Sequence, residues 1–225
     1  KWDVNNPPGT ALSTFTYTLA PGGSSATVTV TVTCQNDPPV AQNKTGIAIQ
    51  ANMKRVGINP SLLVGVTDAD NGVSGCTPNF SVASVTSVSG GTVSNVNLGA
   101  GTIDFDSTPG FTGTAVVNYT VADDGCPGPA ATSAPATISL TVSGPVIWFV
   151  NSAGAAGNGT LSSPFNTLAA AAAVDAANHG IFLYTGTYST GITLNTGELL
   201  IGQGATGASF DALFGITPPA GTIAR

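Results

Sequence analysis

Only 11 acidic and five basic side chains are spread through 225 residues, so ionic chemistry must come from a few places. Asp104 and Asp106 alternate along Ile103-Asp104-Phe105-Asp106, which in a strand sets both carboxylates on one face about 6–7 Å apart, a separation glycosidase pairs use. A strand turns its polar residues to solvent by default and no cleft is implied, so this pair is expected to be surface decoration. The one histidine, His179, in Asn178-His179-Gly180, falls where a helix is expected to end, and a cation there answers the helix dipole. Cys34, Cys76 and Cys126 allow one disulfide and one leftover thiol, and no two stand at zinc-knuckle spacing. No catalytic residue is expected, and the chain does not read as an enzyme.

Composition narrows the classes. Charged residues make up 7% of the chain, against roughly 25% in an ordinary soluble domain, and runs such as ATVTVTVT at 26–33 cover the surface with hydroxyl groups. The formal net charge is −6, with Lys1, Lys44, Lys54, Arg55 and Arg225 as the only basic residues, which removes the footprint that nucleic acid requires. No stretch approaches the roughly 20 apolar residues of a membrane span, and Lys1-Trp2-Asp3 opens no signal sequence. A mature, exported, extracellular chain is expected. Calcium, neutral glycans and other proteins are its expected partners.

The elements that must position these residues begin with an internal repeat. Phe15-Thr16-Tyr17-Thr18-Leu19-Ala20 followed by Ala26-Thr27-Val28-Thr29-Val30-Thr31-Val32 matches Asn118-Tyr119-Thr120-Val121-Ala122 followed by Ala136-Thr137-Ile138-Ser139-Leu140-Thr141-Val142. Both read as strand, turn, strand, with the period-2 alternation of a half-buried sheet. An isolated hairpin is marginally stable. Residues 1–35 are therefore expected to be the tail of a preceding repeat, or to complete a sheet with another chain by strand complementation at residues 1–36.

From 36 to 144 turn signals recur every 8 to 12 residues, as in an all-β sandwich: Ala69-Asp70-Asn71-Gly72, Ser89-Gly90-Gly91, Pro109-Gly110 and Asp124-Gly125. Within them Asn36-Asp37-Pro38-Pro39-Val40, Val66-Thr67-Asp68-Ala69-Asp70, Thr108-Pro109-Gly110-Phe111-Thr112-Gly113 and Asn118-Tyr119-Thr120-Val121-Ala122-Asp123 follow in order. This resembles the tandem cadherin-like, immunoglobulin-like repeats of large bacterial surface and secreted adhesin-like proteins. The resemblance implies one complete β-sandwich over 36–144. It also implies that Asp37, Asp68, Asp70 and Asp123 meet at the end facing the previous repeat, where they could bind calcium; Asp and Asn equally suit tight turns without metal. By the same topology a Cys76–Cys126 disulfide is implied.

After Gly144-Pro145 the pattern changes. Val146-Ile147-Trp148-Phe149-Val150 reads as a strand, Gly154 to Gly159 as a loop, and Ser163-Pro164-Phe165 as the start of an alanine-rich helix over about 164–177. Ile181-Phe182-Leu183-Tyr184, Gly186-Thr187-Tyr188 and Leu199-Leu200-Ile201-Gly202-Gln203-Gly204 are short strands with corners between them. That order resembles the capped start of a right-handed parallel β-helix of the pectin-lyase-like type, expected over 145–225. Two functions follow. One is a structural or adhesive element of a surface or filament-forming repeat protein, without catalysis in this chain. The other is a spacer leading into a β-helical polysaccharide lyase or hydrolase whose site lies beyond residue 225.

Overall fold

A computed structural model describes residues 11–31, 35–58, 60–72, 76–126, 128–205 and 208–222. The N-terminal hairpin pairs β1 (Ala11–Thr18) with β2 (Ser25–Thr31) in a two-stranded antiparallel sheet of their own. Seven strands follow: β3 (Lys44–Gln50), β4 (Lys54–Arg55), β5 (Ser81–Ser89), β6 (Gly91–Asn97), β7 (Thr102–Ser107), β8 (Gly113–Ala122) and β9 (Ala136–Ser143). They form a four-stranded sheet, β3-β9-β8-β5, and a three-stranded sheet, β4-β7-β6. β3 runs parallel to β9, while β8 is antiparallel to both β9 and β5.

The strand patterns explain this pairing. In β9 the alternate residues Ala136, Ile138, Leu140 and Val142 are buried while Ser143 and Thr141 are not, and β8 inserts Ala115, Val117, Tyr119 and Val121 from the same side. At Gly90 the chain leaves one sheet for the other: its φ is +77°, and a Cβ there would sit 2.6 Å from that of Ala115 and 2.8 Å from the Phe111 ring. Only glycine tolerates both the backbone and the crowding.

The hairpin and the sandwich share one register. Tyr17 faces Ala26 and Phe15 faces Val28 across β1–β2, as Tyr119 faces Ala136 and Val117 faces Ile138 across β8–β9. Their environments are opposite. Tyr119 is 1% exposed, whereas Tyr17 is 47% exposed and Phe15 55%, because β8–β9 lies between β3 and β5 and β1–β2 has no flanking strand among the described residues.

Residues 146–222 build a second unit. β10 (Ile147–Val150), β11 (Gly180–Leu183) and β12 (Leu199–Gly202) stack as a parallel sheet, residue upon residue. All four residues of β10 are buried, the pattern of a parallel strand covered on both faces. Two helices accompany them, α1 (Leu168–Ala172) and α2 (Phe210–Phe214).

The helix expected over 164–177 is shorter and starts later. Thr167, not Ser163, is its N-cap and accepts from the Ala170 N–H. Phe165 is instead held extended: its N–H donates to Phe149 O and its carbonyl accepts from Asn151 N–H. An alanine run has high helix propensity but little apolar face, so it yields where a phenylalanine is drawn into a core. Helix α2 was not expected at all; Ser209 caps it and Gly215, at φ +64°, ends it.

The two units share their cores. Val146, Trp148, Val150, Ala171 and Ile181 belong to the same buried cluster as Ile47, Phe105, Val117 and Leu140 of the sandwich. Met53, from the turn between β3 and β4, packs in the second cluster with Ile147, Phe149, Phe182, Phe214 and Ile216.

Candidate functional site

Three places gather polar side chains: the acidic end of the sandwich, the β7 carboxylates, and the junction with the parallel sheet. At the acidic end the four predicted aspartates lie in neighbouring loops. The Asp37 N–H donates to Asp70 Oδ2 at 2.6 Å and the Asp70 N–H to Asp68 Oδ1 at 2.7 Å. Asp123 Oδ1 accepts from the N–H groups of Gly125 and Ala131, and both its oxygens accept from Asn36 Nδ2. Asp68 Oδ2 and Asn36 Oδ1 are enclosed without a donor. Burial pushes the Asp68 carboxyl above the usual carboxylate range; the Asp70 N–H opposes this, and the charges of Asp70, Asp123 and Asp37 reinforce it.

This end is also cross-linked. Cys76 and Cys126 form a disulfide across 50 residues of sequence. Beside it Asn79 donates to Asp124 through its N–H and its side-chain amide, at 3.2 and 2.8 Å, and these two bonds hold that exposed carboxyl below its ordinary value. Cys34 lies outside the described residues. Among the described residues no three His, Cys, Asp or Glu side chains are arranged to hold a metal ion. The donor set is only partly suited to calcium: Asp68 Oδ2 and Asn36 Oδ1 are available, while the oxygens of Asp123 already receive backbone and amide N–H groups.

The β7 carboxylates differ from the expectation of a solvent face. Asp104 is 7% exposed and accepts from Gly57 N–H at 2.9 Å and Asn95 Nδ2 at 2.6 Å. Lys54 Nζ lies 3.4 Å from Asp104 and 3.6 Å from Asp106. Desolvation pushes the Asp104 carboxyl up, but the Gly57 and Asn95 donors and the Lys54 ammonium outweigh it and hold Asp104 below the ordinary range. A carboxylate so engaged is not poised to donate a proton, and its partner Asp106 accepts from Ser162 Oγ at 3.1 Å. The pair is an ion-pair anchor between sheet and junction.

At the junction Asn52 is the central residue, and sequence reading passed over it. It is 1% exposed and adopts φ +58°. Its Nδ2 donates to Ile147 O at 3.1 Å, its Oδ1 accepts from Gly110 N–H at 2.7 Å, and its carbonyl accepts from Leu161 N–H at 2.9 Å. Gln50 Nε2 adds a bond to Pro145 O. Val56 N–H donates to Gly221 O, so the chain beyond α2 also returns to the sandwich. An asparagine between Ala51 and Met53 reads as a turn residue, and no local signal marks it as a joint.

Two contiguous hollows open beside this joint. One, of about 310 Å³, is lined by Thr92, Asp106, Asn158, Thr160, Ser162 and Ser163, among others; the other, of about 410 Å³, by Trp148, Phe165, Val174 and His179, with Pro109 and Asn158 common to both. His179 does not cap a helix end, since α1 ends at Ala172 with Ala173 as its C-cap. Its Nδ1 accepts from the Trp148 indole N–H and the Ala176 N–H, each at 3.1 Å.

Residues 36–141 match the family model described as bacterial Ig domain. That stretch is an immunoglobulin-like β-sandwich. No curated protein matches the chain. Solved structures similar to it include a nucleoside hydrolase-related hypothetical protein from Saccharophagus degradans associated with carbohydrate metabolism, 16% identical over 48% of this chain and 26% of that one, with a TM-score of 0.32. Human mucin-like protocadherin EC1-2 is 20% identical over 53% of this chain and 60% of its own, and protocadherin gammaB7 EC3-6 is 22% identical over 54% and 29%, both with TM-scores of 0.32. Likenesses this weak add nothing to the assignment, and the chain spans less than two thirds of each. No described helix is long and apolar enough to cross a membrane.

Proposed function

We propose that this chain is a structural and adhesive segment of an exported, extracellular bacterial repeat protein, in which an immunoglobulin-like domain is fixed rigidly to the start of a parallel β-helix, and that it carries no catalysis. The observation that supports this best is the shared core: Trp148, Val150 and Ile181 are buried in one cluster with the sandwich interior. A flexible spacer would show an exposed linker of few contacts instead. The three stacked parallel strands, with residue-for-residue register, support the β-helix reading.

The test is calorimetry on the whole chain. Sandwich and parallel sheet are expected to unfold in one cooperative transition; two well-separated transitions would refute the rigid joint. The hairpin suits a neighbouring repeat, in the same chain or an identical one, because β1–β2 keeps the register of β8–β9 while exposing Phe15, Tyr17 and Val30. Sedimentation at rising concentration tests the intermolecular form, which a strict monomer would exclude. Neutral glycans are the ligand class that a hydroxyl-lined hollow beside one walled by Trp148 and Phe165 suits, with Asn158 common to both; a glycan array showing no binding that Asn158→Ala weakens would remove this reading.

A second reading adds calcium at the acidic end, favoured by the enclosed, donor-free Asp68 Oδ2. An ion would need further oxygens from neighbouring loops to reach the six to eight it prefers. Millimolar calcium should then raise the melting temperature, and Asp68→Asn should abolish the rise; an unchanged transition with and without chelator eliminates the ion.

A further inference from the structure

Three hollows meet end to end along the seam between the sandwich and the parallel-strand unit. The first, of about 410 Å³, is walled by Phe165, Trp148 and Val174, and it shares Pro109 and Asn158 with the second, of about 310 Å³. The second shares Ser162 and Ser163 with a third, of about 240 Å³, which ends against Asn151, Ala155 and Ala156. Singly they lie near the floor of the roughly 300–1,000 Å³ that ligand clefts span; joined, they make a groove. Neither unit lines it alone. Asp106 and Pro109 come from the sandwich, while Asn158, Ser162 and Phe165 come from the other side. The Ser162 hydroxyl donates to Asp106 Oδ1 across the seam at 3.1 Å.

The groups offered along this groove change from one end to the other. The first hollow is apolar: Phe165 is half-buried against the Trp148 ring, at a centroid distance of 5.8 Å, and stands with Val174 and Pro109, both exposed. Two donors border it. His179 Nδ1 receives the Trp148 indole N–H and the Ala176 N–H; it must supply the lone pair to both, so the ring proton rests on Nε2. Asn158 Oδ1 accepts from the N–H and the hydroxyl of Thr160, which leaves its exposed Nδ2 amide to donate. Asp106 supplies acceptors in the second hollow, and the hydroxyls of Thr92, Thr108 and Ser163 can act either way. Lys54 is engaged by Asp104 and Asp106, and the sequence holds no Lys or Arg between residues 56 and 224. An anionic ligand would therefore meet Asp106 without a counter-charge.

Resting on the neutral-glycan reading above, we propose that the groove binds a linear, uncharged oligosaccharide that spans all three hollows with one sugar unit in each. The first unit lies with its apolar face on Phe165, and the hydroxyls beyond it exchange hydrogen bonds with His179, Asn158, Asp106 and the 160–163 loop. A sugar ring pairs a face of C–H groups with a rim of hydroxyls that both donate and accept, which matches an aromatic end followed by mixed donors and acceptors. An extended peptide would instead seek an unpaired sheet edge, and β7, which carries Asp106, is paired on one side by β4 and on the other by β6. Because the walls belong to different units, a bound chain also clamps the joint, and its binding adds to the stability of both.

The experiment is calorimetric titration of the whole chain with neutral linear gluco-, manno- and xylo-oligosaccharides of one to six units, and with oligogalacturonides of the same lengths. In at least one neutral series affinity should rise about fivefold with each unit up to the third, the gain of roughly one net hydrogen bond, and level off beyond it. That trimer, at about a hundredfold excess over its Kd, should raise the melting transition by about 5–10 °C. Two variants divide the groove. His179→Asn keeps an acceptor for the Trp148 and Ala176 N–H groups but loses the Nε2 donor, and should weaken every length severalfold. Ala155→Trp, exposed at the far end, should abolish the gain from the third unit and spare the first two. Equal affinity at one unit and at six, or a third-unit gain that Ala155→Trp leaves intact, overturns the three-unit groove while the neutral-glycan reading stands. Binding of no neutral series, or a preference for the galacturonides, overturns both.

Discussion

Replacing Asn52 by alanine tests the joint most directly, because one side chain closes bonds to both units. The substitution orphans Gly110 N–H and Ile147 O, which Asn52 satisfies at 2.7 and 3.1 Å in a place where the residue is 1% exposed. Each buried group left without a partner costs about 1–3 kcal/mol. Alanine at φ +58° adds about 1 kcal/mol, since left-handed backbone is unfavourable to a Cβ and asparagine tolerates it best after glycine. The total is on the order of 4 kcal/mol, a large share of the roughly 5–15 kcal/mol that holds a domain folded. In calorimetry this should lower the single transition by roughly 10 °C. Asn52→Gly loses the same two bonds but not the backbone comfort, so it should fall short of the alanine variant's loss by about 1 kcal/mol. If Asn52→Ala costs under about 1 kcal/mol, or splits the melt into two transitions while leaving the sandwich transition unmoved, the joint does not transmit stability in the way the bonds imply.

Other perturbations probe separate parts. Removing the Cys76–Cys126 bond with a double serine substitution should cost about 4 kcal/mol, the loop-entropy value for 50 residues, read as a lower urea midpoint; an unchanged midpoint would mean that the loops are already ordered without it. Asp104→Asn should lower stability at neutral pH and flatten the acid limb of the pH profile below about pH 4, because a carboxyl held down by Gly57, Asn95 and Lys54 contributes stability that is lost as pH falls through its folded value; an identical acid limb contradicts this. Gly159→Ala should destabilise by about 2–4 kcal/mol and alter the near-ultraviolet dichroism of Trp148, since Gly159 is at φ +82° and a Cβ there would lie 2.7 Å from the Trp148 ring.

What could be read from the sequence is what local pattern controls. The alternation in Ala136–Ser143 marks a strand with one buried face, and the repeat of Tyr17-Thr18 as Tyr119-Thr120 carries a whole hairpin register with it. What could not be read depends on partners that arrive from elsewhere in the chain. Asp104 reads as a surface residue from its own strand; Gly57, Asn95 and Lys54 make burial tolerable, and none of them is near it in the alternation. The helix starts late for the same reason: residues 164 to 167 stay outside it, and the choice falls to Phe165, whose bonds to Phe149 and Asn151 outweigh propensity. At the acidic end the order of motifs placed Asp37, Asp68, Asp70 and Asp123 in adjoining loops, but which oxygens remain free is decided by Asn36, Gly125 and Ala131. Asn52 is the extreme case. It is an ordinary turn residue by type, and it acquires its role only when segments 58 and 95 residues away supply the other halves of its contacts. The joint between sandwich and stack is therefore a property of long-range packing, and single substitutions there should disturb both units together.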